Sequence, residues 1–226
     1  MAKAPVAGLV KTRLCPPLSP ARAAELAAAF ASDVLHRLVS IDGIDLRLAL
    51  DRAGTDRRAR PAGADLETLA AGLGVPVEDQ GGGDLGARMG RLVRRGLADG
   101  LPTILVGTDT PDLSPEVVRS AVRALAAHDA VLAPARDGGY VLVGASRGLE
   151  GLFRIDAAWS SERVFVATCE ALAREGCAFE VLAGAEDVDD AASLGRLAGR
   201  LAGSGALVAP ATAALLETWR TEGVRF

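Results

Sequence analysis

Thr103-Ile-Leu-Val106-Gly-Thr-Asp109-Thr-Pro-Asp-Leu113-Ser-Pro-Glu116 joins three local patterns in one short stretch of the chain. The continuous apolar run 103–106 is typical of a strand buried on both faces of a parallel sheet. Ser114 followed by Pro115 is typical of an N-cap and the first residue of a helix. The stretch therefore predicts a strand, an acidic turn and a helix, which is the repeating unit of an α/β fold.

The rest of the chain continues this alternation of short apolar runs and amphipathic stretches. Ser19-Pro20 repeats the helix-start signal, and Leu26, Phe30 and Val34 then share one face of a helix predicted over residues 20–39. Further helices are predicted at 65–71, 85–98, 115–127, 162–175, 190–202 and 210–220, and further strands at 46–50, 75–77, 130–133, 140–143 and 178–182. This order predicts an α/β fold with a mostly parallel sheet and helices on both faces.

Composition limits the classes of function. The chain has 226 residues, of which 25 are basic and 29 acidic, and its formal net charge is −4. This balance lacks the basic surface of nucleic-acid-binding proteins, so we expect no nucleic-acid partner. The sequence shows no secretory leader and no uncharged apolar run of about 18 residues, and its three cysteines form no Cys-x-x-Cys pair. We therefore expect a cytoplasmic protein without a membrane span, of open oligomeric state.

The only lysines of the chain, Lys3 and Lys11, lie near its beginning, and every other basic residue is arginine. An ammonium is a compact charge on a flexible stem, which suits contact with one phosphate oxygen in a tight loop. Because Gly8 allows close backbone approach and Arg13 adds a cation, residues 3–13 predict a loop for a di- or triphosphate. The alternative is an ordinary solvated segment. Such loops normally follow a central strand, so we expect either a strand upstream or a stub of it at residues 1–5.

A glycine-rich turn, Gln80-Gly-Gly-Gly83-Asp-Leu-Gly86, leads into the helix predicted at 85–98. Its backbone can approach a planar base, and Gln80 offers both a donor and an acceptor to the edge of that base. We therefore predict nucleotide contacts at Gln80, Gly83 and Gly86. The alternative, a flexible loop with Asp84 as helix N-cap, is compatible with this interpretation.

Two acidic turns supply candidate metal ligands. Asp109 directly follows the strand 103–106, at the edge where open α/β sheets bind ligands, whereas Asp112 suits a turn or capping role. Asp189 lies in a dense acidic segment, in which Asp190 can instead cap the next helix. Mg²⁺ (or Mn²⁺) held by one or two carboxylates and ligand phosphates needs no larger protein cage. Asp109 and Asp189 therefore predict a divalent metal site, with a plain turn aspartate as the alternative.

Two further turns are candidate acceptor-binding segments. Asp137-Gly138-Gly139-Tyr140 joins two predicted strands, although Asp-Gly-Gly is also typical of a plain hairpin. Trp159-Ser160 precedes a predicted helix, and Trp159 is expected either to form the wall of a substrate pocket or to pack in the core. No Gly-x-Ser-x-Gly motif is present, and neither histidine suggests a catalytic triad, so hydrolase chemistry is not indicated.

These segments together resemble a bacterial family of GT-A-like transferases, described as radical-SAM/selenodomain-associated transferases and often labelled glycosyltransferases. The resemblance runs over about residues 2–200 and is carried by the segments 2–14, 80–89, 107–113, 137–140, 159–160 and 187–189. It places the chain in the nucleotide-diphospho-sugar transferase superfamily. It therefore implies a single GT-A/Rossmann-like domain over residues 1–204, with a C-terminal helix and tail over 205–226 packed on the same domain.

The resemblance also implies roles for individual residues. Asp109 and Asp189 match metal-binding aspartates, the loop with Lys11 and Arg13 matches the phosphate loop, and Gln80 matches a base contact. The chain departs from the superfamily after Asp189, because it continues with Asp-Ala where Thr-Pro is common.

Three functions remain open at this point. In nucleotidyl transfer from a nucleoside triphosphate to a phosphorylated or carboxylated small molecule, Lys11, Arg13 and Asp109 are the predicted catalytic residues. In glycosyl transfer the donor is a nucleotide sugar, and the metal is usually held by an Asp-x-Asp pair. The Asp109-Thr-Pro element is not such a pair and a cationic loop suits a triphosphate, which favours nucleotidyl transfer, whereas the family label favours glycosyl transfer. A non-catalytic nucleotide-binding module is the third possibility.

Overall fold

A computed structural model describes residues 1–52, 65–149, 151–159, 161–203 and 205–226. The strands, in chain order, are β1 Ala2–Lys3, β2 Leu48–Asp51, β3 Val77–Asp79, β4 Thr103–Val106, β5 Ala130–Pro134, β6 Tyr140–Ala145 and β7 Phe179–Val181. The helices are α1 Pro20–Val39, α2 Leu66–Gly72, α3 Leu85–Ala98, α4 Pro115–Ala124, α5 Val164–Arg174, α6 Ala191–Leu201, α7 Gly205–Val208 and α8 Pro210–Thr221. The predicted α/β class is confirmed. Among these helices, none has both the length and the apolar character needed to cross a bilayer.

The described chain divides into two compact units. The first unit comprises Met1–Asp79, Thr108–Leu113 and Val188–Phe226, and the second comprises Gln80–Gly107 and Ser114–Asp187. Each unit contains one sheet.

The sheet of the first unit is fully parallel, in the order β1-β2-β3. Ala2 pairs with Leu50, and Leu48 pairs with Val77. Ala2, Leu48 and Leu50 are buried, and they pack in one apolar cluster with Leu35 of α1. The stub of a strand that we expected within residues 1–5 is therefore present as the two-residue strand β1.

Helix α1 has the bounds that the sequence predicts. The Ser19 hydroxyl accepts a hydrogen bond from the Arg22 amide at 3.3 Å, and Pro20 occupies the first turn. Leu26 and Phe30 are fully buried on the face that periodicity predicts. They pack in one cluster with side chains of α6 and α8.

The sheet of the second unit is mixed, in the order β4-β6-β5-β7. Strand β6 is antiparallel to β4 and β5, whereas β5 and β7 are parallel. The antiparallel pairing follows from the tight turn at residues 135–139, which returns the chain as the hairpin that Asp-Gly-Gly permits. Helix α3 begins at the predicted cap, because the Asp84 carboxylate accepts from the Ala87 amide at 2.8 Å.

A buried carboxylate attaches the C-terminal helix to α1. The residue preceding α8, Ala209, offers no side-chain acceptor to the first turn. Asp33 of α1 takes this role, since its two oxygens accept from the amides of Ala211 and Thr212 at 2.8 Å each and from the Thr212 hydroxyl at 2.6 Å. A carboxylate at a helix N-terminus satisfies free amides and complements the helix dipole.

The domain boundary predicted near residue 204 stays a prediction.

We predict that Asp33→Ala lowers the free energy of unfolding by about 2–4 kcal/mol, because it leaves two buried donors of Thr212 and the half-buried amide of Ala211 without their acceptor. Urea unfolding followed by circular dichroism measures the change. Asp42→Ala is the matched control at an exposed aspartate and is expected to stay within about 0.5 kcal/mol of the parent. Equal stabilities of the two variants would show that Asp33 does not hold α8.

Candidate functional site

The chain leaves β1 through a tight turn in the first unit. The Ala4 amide donates to the Asp51 carbonyl at 3.0 Å, and the Val6 amide donates to the Ala4 carbonyl at 2.9 Å. Val6 and Val10 are buried, whereas the residues between them are exposed. Gly8 has a φ of 80°, a conformation that favours glycine. Two apolar anchors thus hold an exposed turn directly before Lys11.

Lys11 is held by contacts at both its backbone and its ammonium. Its φ is 48°, and it is the only non-glycine residue with a positive φ in the part of the chain that the structure describes. Its side chain is 5% exposed. The ammonium donates to the Val188 carbonyl at 2.7 Å and lies 2.8 Å from Asp109 Oδ1 and 2.9 Å from Asp189 Oδ1. These three acceptors match the three N–H donors of an ammonium.

Two fully buried side chains place the neighbours of this ammonium. Leu14 follows Arg13 in the sequence, Val188 precedes Asp189, and both pack in the apolar cluster beneath α1. Arg13 and Asp189 are therefore each adjacent in sequence to a residue of the same buried apolar cluster. The Arg13 guanidinium is 66% exposed, and its Nη1 lies 3.9 Å from Asp189 Oδ2, which leaves it open to a ligand.

The start of α6 fixes the backbone at Asp189. The Asp190 carboxylate accepts from the Ser193 amide at 2.7 Å, and the Ser193 hydroxyl accepts from the amides of Asp189 and Asp190 at 3.1 and 3.0 Å. This is a capping box. The capping role that the sequence allows for Asp190 is confirmed, and Asp189 is left to face Lys11.

Backbone contacts hold the turn that carries Asp109. The Asp109 carbonyl accepts from the Val188 amide at 2.9 Å. Arg37 of α1 donates through Nη1 to the carbonyls of Pro111 and Leu113, at 2.6 and 2.8 Å. Since these bonds involve the main chain, they fix the path of the turn while leaving the Asp109 carboxylate 52% exposed.

Sequence reasoning missed Arg37, which lies 74 residues before Pro111 and forms no local pattern with it. It also missed Arg200 of α6, which contacts Asp112 at 2.7 Å. Asp112 itself has the structural role in the turn that the sequence favours.

The charges of this cluster balance closely. Burial opposes the charge of Lys11, but Asp109 and Asp189 outweigh that effect, so the pKa of Lys11 lies above its ordinary value. The ammonium therefore stays protonated at neutral pH. One ammonium, two carboxylates and the more distant Arg13 guanidinium together carry no net charge.

The donor set also fits a divalent cation. Asp109 and Asp189 already share one cation, the Lys11 ammonium, through one oxygen each. Their side chains are 52% and 39% exposed, which leaves room for water or phosphate oxygens around an ion. Mg²⁺ and Mn²⁺ accept hard oxygen ligands of this kind. Asp109 and Asp189 would hold such an ion, with Lys11 and Arg13 beside it.

Lys3, the other predicted cation of the loop, is exposed on β1. The Lys11 ammonium contacts Val188, Asp109 and Asp189, so Lys3 is not one of its three partners.

In the second unit, an arginine that the sequence did not single out holds the glycine-rich turn. Arg91 of α3 donates to the carbonyls of Gln80 and Gly82. Gly81 and Gly83 have φ values of 74° and 100°. The Gln80 side chain is buried, with its Oε1 3.5 Å from the Arg88 guanidinium.

Gly86 and Trp159, which the sequence assigns to different partners, contact each other. A methyl group added at Gly86 would lie 2.5 Å from the Trp159 ring and 2.6 Å from the Phe153 carbonyl. Gly86 is buried in the first turn of α3, so close helix packing accounts for this glycine. The half-buried Trp159 packs over that turn. Ser160 lies outside the described residues.

The turn at residues 137–140 is also shaped by packing. Gly138 has a φ of 90°, and a methyl group there would overlap the backbone of Glu162. The Asp137 carboxylate accepts from the Gly139 amide at 2.9 Å. Burial raises the pKa of the Tyr140 hydroxyl, which lies 4.0 Å from the Met89 sulfur.

Two sets of ligand contacts in this unit stay predictions. They are the nucleotide contacts at Gln80, Gly83 and Gly86 and the acceptor contacts at the other predicted residues of this unit.

Comparison with known proteins relates the chain to one bacterial family. Residues 34–161 match the model of the family described as "Uncharacterized protein conserved in bacteria (DUF2064)". A solved structure from Desulfovibrio desulfuricans G20, described as a "putative nucleotide-diphospho-sugar transferase", is 31% identical with a TM-score of 0.82. The alignment covers 97% of this chain and 93% of that chain. No curated protein matches the sequence.

Two more distant solved structures share the fold. A CMP:2-keto-3-deoxy-manno-octonic acid synthetase complexed with CTP is 12% identical with a TM-score of 0.51, covering 76% of this chain and 87% of that chain. A cytidylyltransferase from Leptospira borgpetersenii serovar Hardjo-bovis (strain JB197) is 13% identical with a TM-score of 0.54, covering 86% of this chain and 84% of that chain. At these identities the likeness concerns the fold alone.

We predict that Lys11→Met lowers the free energy of unfolding at pH 7 by about 1–3 kcal/mol, a value reduced from that of a fully buried pair because both carboxylates are partly exposed. Because the folded-state pKa of Lys11 is raised, its stabilisation is complete below the ordinary lysine pKa and is lost as the pH rises through the folded-state pKa. The stability difference between parent and variant should therefore shrink above about pH 10.4.

Urea unfolding of both proteins from pH 7 to pH 11 measures this difference. Lys3→Met, at the only other lysine, is the control and is expected to change stability by less than about 0.5 kcal/mol. Equal losses in the two variants would contradict a special role for the Lys11 contacts.

Proposed function

We propose that this chain, which belongs to the bacterial family described as "Uncharacterized protein conserved in bacteria (DUF2064)", is a metal-dependent transferase with a nucleotide donor. The reaction is nucleotidyl transfer from a nucleoside triphosphate to a phosphorylated or carboxylated small molecule. The observation that carries the proposal is the contact of the Lys11 ammonium with both Asp109 and Asp189.

The contact matters because residues from three separate parts of the chain present cations and carboxylates at one point. A polyphosphate needs cations for its oxygens, and a divalent ion needs carboxylates. The partly exposed faces of Arg13, Asp109 and Asp189 allow a ligand to reach this point. The relative from Desulfovibrio desulfuricans G20, described as a "putative nucleotide-diphospho-sugar transferase", supports a nucleotide as the donor.

The residues of the cluster then have distinct roles. Asp109 and Asp189 would hold Mg²⁺ or Mn²⁺, which would supply positive charge to the phosphates of the donor. The acceptor oxygen attacks the α-phosphorus, and the bond from this phosphorus to the pyrophosphate breaks. Lys11 and Arg13 bind the oxygens of the departing pyrophosphate and stabilise the charge that it gains. Catalysis therefore consists mainly of positioning and charge stabilisation.

Glycosyl transfer is the second candidate, because the 31% identical relative is described as a "putative nucleotide-diphospho-sugar transferase". The same cluster would then stabilise a departing nucleoside diphosphate. Nucleotidyl transfer is preferred because two cations, Lys11 and Arg13, lie beside the carboxylates and together suit the longer triphosphate.

Mass spectrometry of products formed from a panel of nucleoside triphosphates and nucleotide sugars, each with phosphorylated and carboxylated acceptors, distinguishes the candidates. Pyrophosphate release identifies nucleotidyl transfer, and nucleoside diphosphate release identifies glycosyl transfer. Stabilisation of the protein by nucleotide and metal without any product identifies a binding module and contradicts both transfer reactions.

We predict that Asp109→Asn reduces turnover at least about 100-fold, because the amide removes the negative charge that binds the metal. Turnover with saturating donor and Mg²⁺ measures this effect, and thermal unfolding confirms that the variant is folded. Asp42→Asn makes the same chemical change at an exposed site and should leave turnover unchanged. A rate for Asp109→Asn near that of the parent would remove Asp109 from the reaction.

We also predict that Lys11→Arg impairs donor use by about 10-fold or more although the charge is kept, because the planar guanidinium cannot occupy the small, three-acceptor position of the ammonium. The ratio kcat/KM for the donor measures this loss, with the exposed, charge-conserving exchange Arg47→Lys as control. Unchanged kinetics in Lys11→Arg would mean that any cation suffices at this position.

A further inference from the structure

We infer that Lys11 is an exchangeable internal cation, whose ammonium occupies the two carboxylates in the metal-free protein and leaves them when a divalent ion binds. The inference rests on the proposed function, which takes Asp109 and Asp189 as the metal ligands. It adds that metal binding at this site is a replacement of one cation by another, and that the released ammonium becomes available to phosphate.

The distances require a replacement. The ammonium nitrogen lies 2.8 Å from Asp109 Oδ1 and 2.9 Å from Asp189 Oδ1. A magnesium ion on these carboxylates binds their oxygens at about 2.1 Å, which brings it close to the nitrogen. Even at the dielectric constant of water, the repulsion between a divalent ion and an ammonium about 4 Å apart changes affinity by more than about tenfold.

The exposure of the groups makes the exchange feasible. The Lys11 side chain is 5% exposed, whereas the carboxylates of Asp109 and Asp189 are 52% and 39% exposed. An ion from solvent therefore meets the carboxylates first and the ammonium last. Because the turn carrying Asp109 is held through its main chain, its carboxylate is free to change partner.

The backbone favours release once the contacts are broken. A left-handed conformation at a residue with a Cβ is unfavourable relative to the right-handed one. At Lys11, with φ 48° and ψ 37°, the three contacts of the ammonium offset that cost. When a divalent ion binds the two carboxylates, the ammonium loses two of its three contacts. The side chain can then turn toward solvent. Arg13, two residues later, is already exposed and would bind phosphate beside it.

Acetylation of the parent protein tests the exchange directly, because Lys3 and Lys11 are its only lysines. With an N-hydroxysuccinimide ester of acetate and peptide mass spectrometry, Lys3 is expected to react rapidly and Lys11 slowly when no divalent ion is present. Saturating Mg²⁺ alone should raise the Lys11 rate several-fold and leave the Lys3 rate unchanged, at matched ionic strength. A Lys11 rate that stays constant or falls under Mg²⁺ overturns the inference.

Metal affinity gives an independent measurement that needs no turnover. Titration of the full chain with Mn²⁺, followed by the electron paramagnetic resonance signal of free Mn²⁺, should show at least about tenfold tighter binding to Lys11→Met than to the parent. Lys3→Met should bind as the parent does. Adding Asp189→Asn to Lys11→Met should remove the gain, which assigns it to the carboxylate pair. Lys11→Gln repeats the test with a polar neutral side chain in case Lys11→Met does not fold.

The outcomes separate this inference from the proposed function. Equal Mn²⁺ affinity in the parent and in both Lys11 variants, or a gain that survives Asp189→Asn, overturns the exchange even if the protein transfers nucleotides. A gain that depends on Asp189, in a chain that forms no product from any donor, supports the exchange and removes the proposed reaction.

Discussion

A buried ammonium must be paired, and in this protein that requirement joins three distant segments of the chain. Lys11 is separated from Asp109 by almost 100 positions of sequence and from Asp189 by 178, yet its ammonium bonds to both. Leaving that charge unpaired away from water would be strongly unfavourable. In the metal-free protein this contact therefore helps to hold the three segments together, and it places the groups on which the proposed chemistry depends at one point.

The surroundings fix the main chain of the cluster and leave its charged ends adjustable. Leu14 and Val188 anchor two of the segments in one apolar cluster, and Arg37 anchors the third through carbonyl groups. Because no anchor uses the carboxylates of Asp109 and Asp189, these side chains keep the freedom to bind another cation. A site of this kind combines a rigid frame with exchangeable contacts, which suits a ligand that must bind and leave.

Local patterns in the sequence predicted most of the helices and the caps of α1, α3 and α4, but not α7 and not the contacts made to distant backbone groups. Ser19 and Asp84 begin α1 and α3 at the predicted residues, because capping acts within one helical turn. Asp33 capping α8 and Arg37 holding the Asp109 turn have no such signal, since their partners are main-chain groups 178 and 74 residues away. Asp109 could be predicted as a metal ligand because it directly follows the apolar run 103–106, and Asp189 because it lies in a dense acidic segment. No local pattern predicts that the Lys11 ammonium pairs directly with both carboxylates.

The structure also separates motif residues that the fold itself requires from those that it does not. Gly86 leaves room for Trp159, and Gly138 leaves room for the backbone of Glu162, so packing is a sufficient reason for both glycines. No comparable reason accounts for Lys11. A left-handed backbone and a buried charge both cost free energy at Lys11, and the three contacts of its ammonium offset that cost. Where a fold maintains an unfavourable backbone and an unfavourable burial at one residue, the compensation is better sought in binding or catalysis than in stability, which favours the Lys11 cluster over the glycine motifs as the place where chemistry occurs.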